Sequence, residues 1–116
     1  MPKANNKDAF YFSHDCNARN DNKILALRSL YGFEGYAIFF MIIEVLREQS
    51  DYKYPLGKYT FNTLSMQIQC NKELLENIVN DCCFEFVDDN SSLLSKDENF
   101  LWSDSLLKRM GRLDEI

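Results

Sequence analysis

The stretch TFNTLSMQIQCNKELLENIVNDCC, residues 60–83, decides how this chain folds. Phe61, Leu64 and Ile68 recur at i, i+3 and i+7, the spacing of one helix face, and Thr60 before them suits the cap. Cys70-Asn71 makes a brief turn. Asn71 then caps a second helix, because its side-chain oxygen can accept from the orphan N–H groups of the first turn. That helix places Leu74, Leu75, Ile78, Val79 and Cys82 on one stripe. Two short helices joined so tightly have the layout of a helix-turn-helix.

Upstream, Asp21 caps a helix in which Ile24, Leu25, Leu27 and Leu30 recur at helical spacing, and Gly32 stops it within a turn. A second helix runs from about residue 34 to 49. From Tyr36 to Leu46 it is apolar nearly all round, broken by Glu44, and a helix without a polar face is expected to be enclosed by other elements. Tyr52 to Pro55 alternates and predicts a short strand closed by proline. Downstream, Cys83-Phe84-Glu85-Phe86-Val87 alternates as a strand does. Asp88 to Ser92 is turn chemistry, and Asn99-Phe100-Leu101-Trp102 predicts a returning strand after a connection longer than a tight hairpin loop. Ser103 caps a last helix from Asp104 to Arg109 or a little beyond. Helices and strands in this order predict a mainly α protein with a small β-ribbon (α+β). The specific expectation is a winged helix-turn-helix with an extra N-terminal helix and a C-terminal helix. Residues 1–9 read as a flexible leader and 10–116 as a single domain, with Phe10-Tyr11-Phe12 a short strand or an aromatic plug.

The 116 residues leave room for one core. Thirteen Lys+Arg against eighteen Asp+Glu give a net charge of −5, which argues against a whole-surface nucleic-acid binder. The acid is unevenly placed. Residues 71–104 carry two Lys/Arg and nine Asp/Glu, a net −7, on the elements a winged helix turns toward DNA. The longest apolar run, Tyr36 to Ile43, falls well short of the roughly 20 residues a bilayer requires, and the polar first residues lack a signal-peptide core. A soluble, cytoplasmic protein without membrane contact is the expectation.

Cys16, Cys70, Cys82 and Cys83 show neither C-x-x-C nor metal spacing and are expected as free thiols. His14, Asp15, Asn17, Arg19 and Asp21 form a polar cluster that invites a catalytic or metal reading. His14 is the one histidine of the sequence, and no second cluster completes a site. A structural loop, with Asp21 capping and Arg19 paired to an acid, is the better account. No G-x-x-x-x-G-K-[ST], G-x-G-x-x-G or G-x-S-x-G is present. The expectation is a protein without enzymatic activity, metal or cofactor.

The segment FSHDCNARNDNKILALRSLYGFEGYAIFFMIIEVLRE, Phe12 to Glu48, resembles the opening of a phage-associated N-terminal domain of unknown function. The shared pattern is carried by Phe12, His14, Asp15, Asn17, Ala18, Arg19, Asp21 and Lys23. It continues through Tyr31, Gly32, Glu34, Gly35, Tyr36, Ile38, Ile42 and Glu44. Phe100 to Met110 resembles the closing element of the same domain. That domain is in turn similar to the N-terminal winged-helix domain of DnaD-type replication-initiation proteins. The resemblance implies a role in phage or mobile-element DNA replication and a tendency to self-associate.

Two functions follow as expectations. The first is an interaction or oligomerisation module of a phage-type, helicase-loader-like protein, binding itself or a replication protein. The second is a sequence-specific DNA-binding winged helix. For the second, Asn71 and Lys72 would enter a groove. Phosphate contacts would fall to Arg19, Lys23 and Arg28 at the front and to Lys108, Arg109 and Arg112 at the end, if the two ends approach each other. The aromatic band Tyr31, Phe33, Tyr36, Phe39 and Phe40 is expected to be mostly core, any excess serving as a partner surface.

Overall fold

The computed structural model describes residues 21–87 and 91–111. The leader and the Phe10-Tyr11-Phe12 segment lie outside them. Helix α1, Asn22–Arg47, begins as expected: Asp21 is extended, and its Oδ1 accepts the N–H groups of Lys23 (2.8 Å) and Ile24 (3.3 Å). At Gly32 the backbone leaves the helix with φ 69° and ψ −160°, a conformation that costs a side chain too much for any residue but glycine to adopt readily. Helical geometry resumes at once, so α1 is two helical segments joined at a kink.

Gly35 serves a different purpose. A Cβ there would collide with the Cβ of Tyr31, so its missing side chain lets the segments fold closely together. Tyr31 reaches across the molecule. Its hydroxyl donates to Oδ2 of Asp81 at 2.5 Å, and its ring meets that of Phe86 edge-on.

The second segment buries Gly35, Ile38, Phe39, Ile42, Ile43 and Leu46. It is not enclosed all round, as its composition suggested. Glu34, Ala37, Glu44 and Glu48 stay exposed along one edge, with Met41 half-buried among them. By length and composition α1 is apolar enough to cross a bilayer, yet its apolar residues here build a protein core.

A 3₁₀ turn, Ser50–Tyr52, leads to strand β1, Tyr54–Pro55. Helix α2 is Thr60–Ile68, and Thr60 is its first residue rather than its cap. The Thr60 hydroxyl is engaged backwards, donating to the Pro55 carbonyl (3.1 Å) and accepting the Gly57 N–H (2.5 Å), so Tyr59 takes the cap position without a side-chain bond. Gln69, left-handed at φ 67°, closes α2. Asn71 caps helix α3, Lys72–Phe84, accepting the Leu74 N–H at 2.9 Å.

The expected strand Cys83–Val87 is not formed. Cys83 and Phe84 complete the last turn of α3, and the N–H groups of Glu85 and Phe86 both return to the Asp81 carbonyl at 2.8 Å. Alternation over so few residues also suits a helix end, because Cys82, Cys83 and Phe86 face the core together. Only Val87 forms a bridge, with Ser92. The strand that does pair is β2, Ser95–Lys96, antiparallel to β3, Phe100–Trp102. Its hairpin is tight: the Asp97 N–H donates to the Phe100 carbonyl (3.0 Å), and Asp97 Oδ1 accepts from the N–H groups of Asn99 (2.7 Å) and Phe100 (2.8 Å), an aspartate turn that reinforces the backbone pairing. These bonds hold the Asp97 carboxyl below its ordinary range.

Strand β1 pairs with the other edge of β3, giving the order β1-β3-β2. Ser103 then caps α4, Asp104–Arg109, as expected. Leu27, Ile42, Leu64, Leu75, Ile78, Leu94 and Leu101 are fully buried between helices and sheet. Among the described residues no buried side-chain polar atom lacks a hydrogen-bond partner. The architecture is mainly helical α+β with a small three-stranded antiparallel sheet.

Candidate interaction surface

Helix α3 divides its residues cleanly. Leu75, Ile78, Val79, Cys82 and Cys83 are buried, while Glu73, Asn77, Asn80 and Phe84 recur at i, i+4, i+7 and i+11 and face solvent. Glu76 and Asp81 flank that stripe half-buried. Asp81 is held by Tyr31. At the far end of the stripe, the Lys96 ammonium from β2 donates to Asn80 Oδ1 at 2.8 Å and lies 5.6 Å from the centre of the Phe84 ring. Phe84 is 63% exposed. Neither Phe84 nor Lys96 was evident as a surface partner in the sequence, since Phe84 read as part of a strand. The available signal was its place eleven residues after Glu73, on the polar side of the helix.

The candidate phosphate contacts are differently disposed. Arg19 and Arg112 lie outside the described residues, as do His14, Asp15 and Asn17. Lys23 and Arg109, from the two ends of the domain, do come together around one cleft of about 110 Å³, with Asp21, Phe39, Phe40 and Ser103 in its walls. They do not make an open basic face. The Lys23 side chain is only 14% exposed, and its Nζ stands 3.7 Å from Asp21 Oδ2. Arg28 lies elsewhere, its guanidinium over the rings of Phe33 (5.4 Å) and Tyr36 (5.6 Å). Lys72 and Lys108 are exposed at separate helix ends. The Asn71 oxygen is committed to its capping bond.

The aromatic band splits as well. Phe39 is core, whereas Phe33 is 77% exposed beside exposed Leu30 and Leu25. Together with Arg28, Ser29 and Gly32, Leu25 and Phe33 line a shallow groove at the kink.

Among the described residues no group of three His, Cys, Asp or Glu is arranged to hold a metal ion. Cys70, Cys82 and Cys83 are free thiols. Burial raises all three above the ordinary thiol value, Cys83 to about 11 even though the nearby Lys96 opposes the shift. They therefore remain protonated near neutrality and pack as apolar groups. Burial, reinforced by the bond to Asp81, likewise pushes the Tyr31 hydroxyl up to about 12.

These features define a small α+β domain that exposes one polar helix face ending in an aromatic ring. The chain belongs to the Lin1244/Lin1753-like N-terminal domain family, whose model matches residues 11–106. The match takes in the motif that begins at Phe12 as well as the helices and sheet. No curated protein and no solved structure matches the chain significantly.

Proposed function

We propose that this domain is a winged helix serving as a non-enzymatic, cytoplasmic interaction module of a phage-type DNA replication-initiation protein. The order helix, β1, helix-turn-helix, β2, β3, with β3 central, supports the winged-helix reading. The replication role rests on the resemblance to DnaD-type N-terminal domains.

The observation that carries the choice of protein over DNA is the exposed stripe of α3. A helix entering a major groove sits among phosphates and is usually cationic there. This one presents Glu73, Asn77, Asn80 and Phe84, with Lys72 as its one lysine. Asn77 and Asn80 favour the competing reading, since an amide side chain can pair with adenine.

The two readings separate in a titration of labelled duplex DNA at about 50 mM and about 0.2 M salt, a range over which phosphate-driven binding falls steeply. No saturable binding at the lower salt is the expected outcome. Saturable binding there, weakened by Lys72→Ala and Lys96→Ala, overturns the module in favour of DNA recognition. Self-association is tested by light scattering across a concentration series. A monomer throughout removes self-association and leaves a foreign protein as the partner.

A further inference from the structure

We infer that the stripe of α3 and the adjoining β2 form a seat for a cationic, amphipathic helical segment of another protein. The inference rests on the module reading and names the chemistry of its partner. Three observations converge on this occupant.

Charge is the first. Residues 71–104 carry a net −7 along the chain, and within them Glu73, Glu85, Asp97 and Glu98 are exposed, against the exposed Lys72 and the half-buried Lys96. The second is an apolar anchor at the C-terminal end of α3, next to Glu85 in the chain. Phe84 and Val87 are both exposed there, although Phe86 between them is buried. An aromatic ring rimmed by charge is the common form of an interface centre.

The third observation is a cation already seated at that ring. The Lys96 ammonium lies over Phe84 and bonds to Asn80 Oδ1, so the ring face and the amide oxygen together bind a positive charge. Lys96 is the domain's own occupant of a position that a partner's lysine or arginine would share or take over. The thirteen residues of α3 extend about 20 Å, enough to lie alongside a helix of similar length. Apolar residues of the partner would meet Phe84 and Val87, and its cations would meet the carboxylates.

The role of Lys96 distinguishes this seat from a nucleic-acid surface. Toward DNA, Lys96 supplies a favourable charge, and its removal weakens binding. Toward a cationic helix it is a competitor, and its removal strengthens binding.

The probe is a fluorescent 14-residue model peptide with leucine on one face and lysine on the other, alongside a leucine/glutamate counterpart, both measured by anisotropy with the whole chain. The expected result is saturable binding of the lysine peptide and none of the glutamate peptide. Phe84→Ala should weaken binding about tenfold, as loss of an aromatic anchor does. Lys96→Ala should tighten it about threefold, the scale of one exposed charge. The double variant Glu73→Lys/Glu85→Lys should lose the lysine peptide and gain the glutamate peptide, a gain that misfolding cannot produce.

Equal binding of the two peptides, binding of neither, or a lysine-peptide affinity unmoved by Phe84→Ala overturns the inference. Such a result with DNA also unbound leaves the module reading standing. DNA binding that Lys96→Ala abolishes overturns both.

Discussion

The buried face of α3 and its solvent-facing stripe belong to one thirteen-residue helix, yet they are constrained in opposite ways. Leu75, Ile78, Val79 and Cys82 have no exposed surface and are held by volume. Glu73, Asn77, Asn80 and Phe84 are held by little beyond the helix itself, apart from the Lys96 contact, and stand open to solvent. The comparison extends to charge. The cations Lys23 and Arg109 line one cleft and are partly buried, while Glu73, Glu85, Asp97 and Glu98 are exposed. Which charges a partner can meet therefore depends on accessibility more than on the count along the chain.

The sharpest way to break this comparison is to truncate one residue on each face. Ile78→Ala should cost about 2–5 kcal/mol, the range for a fully buried aliphatic side chain. Phe84→Ala should change stability by no more than about 0.5 kcal/mol. Urea unfolding followed by circular dichroism measures both, and similar losses would show that Phe84 is part of the core.

A smaller loss is expected where α1 folds against α3. Gly35→Ala forces a methyl group into the Tyr31 side chain and should cost about 1–3 kcal/mol. It should also displace Tyr31 from Asp81, which tyrosine fluorescence and the ring proton shifts of Tyr31 would reveal. An unshifted Tyr31 in the variant would mean that the close packing at Gly35 does not position it.

Next comes the cap that joins the two faces at their start. Asn71→Ala should lower stability by about 1 kcal/mol, and Asn71→Asp should restore most of it by supplying an equivalent acceptor. If Asp fails to rescue in the same urea assay, Asn71 acts through something other than its cap.

A last expectation is a pH dependence that belongs to the buried side and shows only in alkaline solution. The Cys83 thiol, ordinarily near 9.0, is raised to about 11, and the Tyr31 hydroxyl, ordinarily near 10.0, to about 12. A group whose value is raised by folding adds stability that is complete below its unfolded value and lost as pH climbs through the folded one. Thermal stability should thus hold up to about pH 9 and decline from there to pH 12 and beyond, the more deeply buried Cys82 adding to the loss. Tyr31→Phe should flatten the upper half of that decline. A melting temperature level to pH 12 would contradict the burial assigned to these groups.

Much of the fold was legible because its signals are local. Asp21, Asn71 and Ser103 each announce a helix start through a side chain that bonds two or three residues ahead. Gly32 marks a break because its backbone conformation excludes other residues. The misreadings arose where local signals were ambiguous. Cys83 to Val87 alternates as a strand would, but the core residues around Cys82 and Phe86 draw the segment into a final helical turn. Thr60 resembles a cap, yet its hydroxyl is taken by Pro55 and Gly57, contacts set by how β1 enters α2.

The sequence by itself determined the helix starts, the kink, the core stripe of α3 and the concentration of acid in residues 71–104, because each depends on neighbours within a few turns of chain. Tertiary structure alone decided that β3 lies between β1 and β2, that Tyr31 reaches Asp81 fifty residues away, and that Lys96 rests on Phe84 and Asn80. It also drew Lys23 and Arg109 into one cleft instead of a basic face. Contacts between residues so far apart along the chain leave no periodic trace in it. They arise when the buried faces of helices and sheet close on one another and the side chains between them take the positions that remain.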